Sequence, residues 1–302
     1  MRLLLILILV TGVFVSCNSN KEEKKASSDE RLSVFTVNYP LKYFTERIGG
    51  EFVDIIYPIQ SDVDPAYWDP SQSLADIQAC DIIVANGANY SKWMEKVSMP
   101  SSRIVNTSEA FSDKYISVEE GSTHSHGASG EHVHYGFAFT TWLDFKIALG
   151  QAEVINNTLI KKSPQHREVF SANFAALKSE LAELDKSMTE IGARLQKQTM
   201  FASHPVYQYL ASAYGLEIIS EHWEPGELPS TEQWDDFRRN LTEHPSVIML
   251  WEGDPTVEVK SSLLELGVKS IVFNPCGNTP SEGDFISVMK ANINAFKSST
   301  IE

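Results

Sequence analysis

Eight apolar side chains, Phe170, Phe174, Leu177, Leu181, Leu184, Met188, Ile191 and Leu195, recur at alternating spacings of four and three residues. No proline or glycine interrupts the run until Gly192. At 3.6 residues per turn all eight fall on one face of a single helix, and that face must be covered along its whole length. A two-stranded coiled coil carries the same stripe over a few heptads. Here both flanks alternate short β-branched runs with helical segments, so the stripe reads as one rigid helix packed across two α/β halves. Ser33–Asn38, Val53–Pro58 and Asp81–Asn86 read as strands before it, with helices at 39–49 and 73–79. Met200–Ser203, Leu216–Ser220, Val247–Trp251 and Ser270–Phe273 read as strands after it, with helices near 205–214, 231–243, 256–266 and 282–297. Strands alternating with helices form parallel sheets. The expected fold class is α/β: two lobes, each with a mainly parallel sheet flanked by helices, joined by one long rigid helix. The boundaries are an N-terminal lobe at 32–165, the connecting helix at 166–198 and a C-terminal lobe at 199–302.

The first thirty residues read as something other than fold. Met1-Arg2 and the apolar run from Leu3 to Val15 have the length of a signal-peptide core and are too short to span a bilayer. The run ends in Phe14-Val15-Ser16-Cys17, the pattern of a lipoprotein signal, which makes residues 1–16 the signal and Cys17 the expected lipidation site. A lipidated cysteine anchors a chain to a membrane without inserting it. Residues 17–31 are polar and read as a tether. The chain is expected to be exported and held at the cell envelope, in the periplasm or at the cell surface.

Four of the eight histidines fall in two His-x-His pairs, His124/His126 and His132/His134, within the Gly- and Ser-rich stretch 121–136. Neutral imidazole is a common ligand for zinc and copper, and a loop of this composition wraps an ion without forming a core. The alternative is a solvated loop without a ligand. Forty acidic against twenty-five basic side chains give a net charge of −15, which argues against nucleic-acid partners and is compatible with cation binding. Cys80 and Cys276 are the cysteines left beyond Cys17; they lie in different halves and read as unpaired thiols. No Gly-x-Ser-x-Gly elbow and no His-Glu-x-x-His motif is present, so the chain is not expected to be an enzyme. An exported metal-dependent hydrolase, using His204 as base or the histidine cluster as a metal site, is the alternative from another class.

Phe35–Gly50, Asp64-Pro-Ala-Tyr-Trp-Asp-Pro70, Ala79–Gly87, Thr141-Trp-Leu-Asp144, the segment from His204 to Leu216 and Val247–Glu252 follow one another in order. Together they resemble the zinc- and manganese-binding solute-binding proteins of ABC importers, from about Val34 to the C-terminus. The resemblance implies a metal in a cleft between two lobes, Zn2+ or a related divalent transition metal as the bound ion, and an ABC permease with its ATPase as partners. It also implies a His-rich loop before the Trp-Leu-Asp motif, where 124–134 stand. Of the four ligand positions the family implies, His204 matches. The first, after Asp-Pro, is Ala66; the second is Thr140; the C-terminal carboxylate aligns with Asn274. Since zinc takes about four N, S or O ligands, the expected ligands are His204, Glu252 and the imidazoles of His124, His126, His132 and His134. Ala66, Thr140, Asn274, Cys276 and Glu221 would line the cleft, and His222 would lie within reach. His204 also reads as a hydrogen-bonded histidine at a strand-to-helix junction, and Glu252 as the cap of a neighbouring loop. The implied function is capture of a transition metal, most simply zinc, for delivery to an importer. A cleft altered for another solute, or surface metal scavenging, is the variant reading. Metal affinity is expected to weaken as histidines protonate below about pH 6.5.

Overall fold

The β-branched runs of the two halves build two sheets of the same design. A computed structural model describes residues 31–118 and 136–299, together with the backbone of 123–125 and 131–133. The signal segment, Cys17, most of the tether, His126 and His134 lie outside the described residues, as do the side chains of His124 and His132. In the first half the elements are β1 (Leu32–Thr36), α1 (Tyr39–Gly49), β2 (Val53–Ile56), α2 (Leu74–Ala79), β3 (Ile82–Ala85) and β4 (Ile104–Asn106). The short β5 (Ser117–Val118) pairs antiparallel with β8 (Gly136–Phe137). Between them, β6 (Thr123–Ser125) and β7 (Glu131–Val133) form an antiparallel backbone pair that sets His124 opposite His132. Helix α3 (Phe145–Lys162) and the long α4 (Arg167–Leu195) follow. The second half contains β9 (Thr199–Ala202), α5 (Gln208–Tyr214), β10 (Glu217–Ser220), α6 (Thr231–Glu243), β11 (Ile248–Trp251), α7 (Val257–Glu265), β12 (Lys269–Val272) and α8 (Phe285–Ser299).

Both four-stranded sheets are parallel, in the orders β2-β1-β3-β4 and β10-β9-β11-β12. The second half therefore repeats the strand order of the first. Helix starts follow local capping: Asn38 accepts from the Leu41 amide at the head of α1, and Asp144 accepts from Lys146 and Ile147 at the head of α3. The stripe of α4 is covered as its period requires. Phe170, Leu177, Leu181, Leu184, Met188, Ile191 and Leu195 are buried, and Phe174 is half-buried. The 29 residues of α4 span about 44 Å at 1.5 Å per residue. It packs against α1 and α3 on one side of the chain and against α5 and α8 on the other. Helix α8 also reaches α1, where Phe285 meets Phe44 edge to face at 5.2 Å. Cys80 and Cys276 are free and buried.

Candidate metal centre

The alternation of side chains along the second sheet decides what gathers at its end. Successive side chains of a strand point to opposite faces. Phe201 on β9, Met249 and Trp251 on β11, and Trp223 beyond β10 join one apolar cluster with Phe237 of α6. Met200, Ala202 and Leu250 face the main core on the other side. The register Leu250↔Ala202↔Ser220 continues two residues on to Glu252, His204 and His222, all on this second face and all past the carboxyl ends of their strands. Two residues further, Glu224 falls on the same face. Open parallel sheets bind ligands at this carboxyl edge.

His204 is 1% exposed and lies between two carboxylates. Its Nδ1 is 2.7 Å from Glu252 Oε1, and its Nε2 is 3.3 Å from Glu224 Oε1. One donor atom from each of the three residues lies within 4.8 Å of the others, the one such cluster of metal-capable groups among the described residues. Burial pulls the imidazole pKa down, but the hydrogen bonds and charges of Glu224 and Glu252 outweigh it and raise it to about 9. The His222 ring centroid lies 6.5 Å from that of His204. Burial, with the adjacent His204 charge, lowers the pKa of His222.

The expected residues are only partly brought together. His204 and Glu252 meet. Glu224, which sequence reasoning passed over, completes the cluster; its signal was the two-residue period from His222. Glu221 is on the opposite face, where it accepts from Asn240 Nδ2 at 3.1 Å, so it does not line the cleft. Cys276 is 2% exposed, its thiol pushed up to about 12 by burial and the Asp284 charge, and it is absent from the cavity wall. Ala66 is likewise buried behind the wall. Thr140 and Asn274 do line the cavity. Their polar groups are engaged elsewhere: Thr140 Oγ1 donates to Val206 O at 2.7 Å, and Asn274 Oδ1 accepts from the Cys276 amide at 2.7 Å.

That cavity, of about 310 Å³, opens beside Glu252. Loops after β2, β3 and β8 close one side, and loops after β9, β11 and β12 the other. Its two sides are clasped by Thr140 on Val206, by Trp142 Nε1 donating to Pro275 O at 2.7 Å, and by Tyr57 OH donating to Asn278 Oδ1 at 2.9 Å. Of the aromatic residues in the motif loops, Tyr67 and Trp142 line the cavity. Trp68 stacks on Phe35 instead, and Trp223 and Trp251 are core residues.

Comparison with known proteins agrees with this architecture. The sequence profile of the family described as zinc-uptake complex component A, periplasmic, matches residues 34–299. The zinc-binding lipoprotein AdcA of Streptococcus pneumoniae (strain ATCC BAA-255 / R6) is 27% identical over 309 residues, covering 98% of this chain and 60% of its own length. This chain thus spans less than two thirds of that relative's length. The high-affinity zinc uptake system protein ZnuA of Bacillus subtilis (strain 168) is 27% identical over 297 residues, covering 94% of this chain and 92% of its own. The crystal structure of the metal-dependent lipoprotein YcdH from Bacillus subtilis superposes with a TM-score of 0.74 at 24% identity, covering 89% of this chain and 98% of that one. At that identity the superposition speaks for the fold.

Proposed function

Because the chain belongs to the zinc-uptake complex component A family, whose members are binding proteins and not enzymes, we propose that it captures a divalent transition metal, zinc first, as cargo for an ABC importer. The observation that carries this reading is the convergence of His204, Glu224 and Glu252 at the carboxyl edge of three adjacent strands. His204 Nε2 and the Glu224 carboxylate are the metal-facing donors, with His222 as a second imidazole in reach. Glu252 takes the other ring nitrogen, which fixes the ring's orientation and strengthens it as a ligand, as carboxylates behind metal-bound histidines do. Zinc's preference for about four N or O donors suits this set.

The rest of the proposal concerns delivery. Residues 32–165 and 199–302 act as two lobes about the helix at 166–198, with the cargo held between them. The histidine pairs of 121–136 gather metal ahead of the cleft site. A lipid on Cys17 holds the protein at the cell envelope, beside a permease and its ATPase. That one relative is a zinc-binding lipoprotein and another a zinc uptake protein supports a lipid-anchored zinc binder.

Metal analysis of the soluble chain without signal and anchor, residues 18–302, tests the reading against His204→Ala and a deletion of 122–134. The intact chain should retain one or more zinc ions at roughly micromolar free metal, and His204→Ala should lose the tightest. Zinc retained in full by His204→Ala and lost only with the loop deletion would move the site out of the cleft. No zinc retained by the intact chain would end the reading.

A further inference from the structure

The cavity beside Glu252 is much larger than an ion requires. Its volume of about 310 Å³ falls at the low end of the roughly 300–1,000 Å³ pockets that enclose small organic ligands. Aromatic side chains form part of its wall. Tyr67, Tyr90, Phe139 and Trp142 line it, and Tyr90 is fixed edge-on to Phe139 at 5.2 Å and to Trp142 at 5.7 Å. Such faces contribute little to holding a small hydrated ion but suit a cation carrying carbon.

The electrostatics are one-sided. Among the described residues of the lining, Asp62, Asp64 and Glu252 are the charged ones and no lysine, arginine or histidine joins them; Glu252 is already paired with His204, which leaves Asp62 and Asp64 as the uncompensated charges of the wall. The Asp64 charge is felt by the phenols of Tyr57, Tyr67 and Tyr90, helping burial to raise all three pKa values. Gln208 adds an acceptor: its Nε2 donates to Pro205 O at 2.6 Å, while its Oε1 is buried without a hydrogen-bond partner. The wall thus presents negative charge, a spare acceptor and π-faces. A carboxylate ligand would be repelled, whereas an N–H or N-methyl cation would meet the Asp64 charge, the Gln208 acceptor and the half-buried ring of Tyr67.

We propose that this cavity binds a small organic ammonium ion, its charged nitrogen set against Asp64 and its carbon skeleton against the half-buried rings of Tyr67 and Phe139. This goes beyond the metal reading and stands or falls separately from it. Asp64 and Tyr67 are not part of the His204 cluster, so the two sites are separable by substitution.

Calorimetric titration of the metal-free mature chain tests the proposal, using choline, putrescine, succinate and zinc chloride as probes. Choline or putrescine should bind one to one with Kd below about 1 mM, choline if the π-faces dominate and putrescine if the acceptors do. Succinate should give no heat. Asp64→Asn and Tyr67→Ala should each weaken the organic cation at least ~10-fold, about 1.4 kcal/mol, and leave zinc affinity as it was. Absence of binding by both cations, succinate binding as tightly, or Asp64→Asn binding choline and putrescine unchanged would each overturn it. The zinc arm reports on the metal reading alone.

Discussion

His204 Nδ1 and Glu252 Oε1 lie 2.7 Å apart at a position where the imidazole is 1% exposed. With Glu224 at the other ring nitrogen, the metal-free protein stores a proton on His204 up to a pKa of about 9. A histidine whose folded pKa is raised above its unfolded value of ~6.5 stabilises the fold fully below pH 6.5 and loses that contribution as pH climbs through 9. The amount at stake is on the order of 3 kcal/mol. Thermal unfolding of the metal-free chain should therefore shift to lower temperature between pH 6.5 and 9.5. A Tm that stays flat or rises over that window would show that His204 is not held as an imidazolium.

Zinc and this proton compete for one ring. Binding must expel the proton, so apparent zinc affinity should rise about tenfold per pH unit from pH 6.5 towards 9 and level off above it. That places the loss of affinity well above the ordinary histidine range near 6.5 expected from sequence, because two carboxylates favour the charged ring. Calorimetry of zinc binding in two buffers of different ionisation enthalpy at pH 7.5 should register about one proton released per metal. Release near zero would contradict the geometry.

The two carboxylates should not be interchangeable. Glu224→Gln removes a metal-facing charge at both pH values compared. Glu252→Gln weakens the orientation and basicity of the ring, a change worth roughly 10–100-fold in metal affinity. Either substitution also lowers the His204 pKa, because both carboxylates favour the charged ring, and so relieves proton competition near neutrality. Both defects should thus be larger at pH 9 than at pH 7, and at pH 9 the Glu224→Gln defect, a lost ligand, should exceed the Glu252→Gln defect, a lost support. Chelator-competition titrations at the two pH values separate the cases, and identical profiles for the two variants would assign both residues the same role.

How much of this was legible in the sequence depends on the range of each signal. The stripe of α4 was readable because its partners recur every three or four residues, whatever covers them. Helix α3 was not read: Gly150, Asn156, Asn157 and Thr158 are weak helix formers, and burial of Gln151 and Asn156 among its apolar residues blurs the face. Strand β4 is three residues long and has no period to detect. At the site, His204 and Glu252 were found through motifs. Glu224 was missed because its place follows from β10 lying beside β9 and from the phase of the chain beyond it. Glu221 and Glu224 flank the same His-Trp pair, and only that phase separates a carboxylate on Asn240 from one on His204.

Gly192 shows the same dependence on contacts distant in sequence. It sits in the last turns of α4, buried, where alanine would ordinarily favour the helix by about 1 kcal/mol. A Cβ at this position would collide with the backbone carbonyl oxygen of Tyr214, at the end of α5. Tyr214 cannot easily retreat. Its hydroxyl accepts from the Phe145 amide at 3.2 Å and donates to Asp185 Oδ1 at 3.1 Å, tying α5 to both α3 and α4. Accommodating the methyl therefore means moving α5 off α4 and straining that junction, an overpacking cost of about 1–3 kcal/mol that exceeds the gain in helix propensity. Gly192→Ala should lower the unfolding midpoint in denaturant at unchanged slope. A midpoint that rises instead would mean that α5 is free to slide along α4.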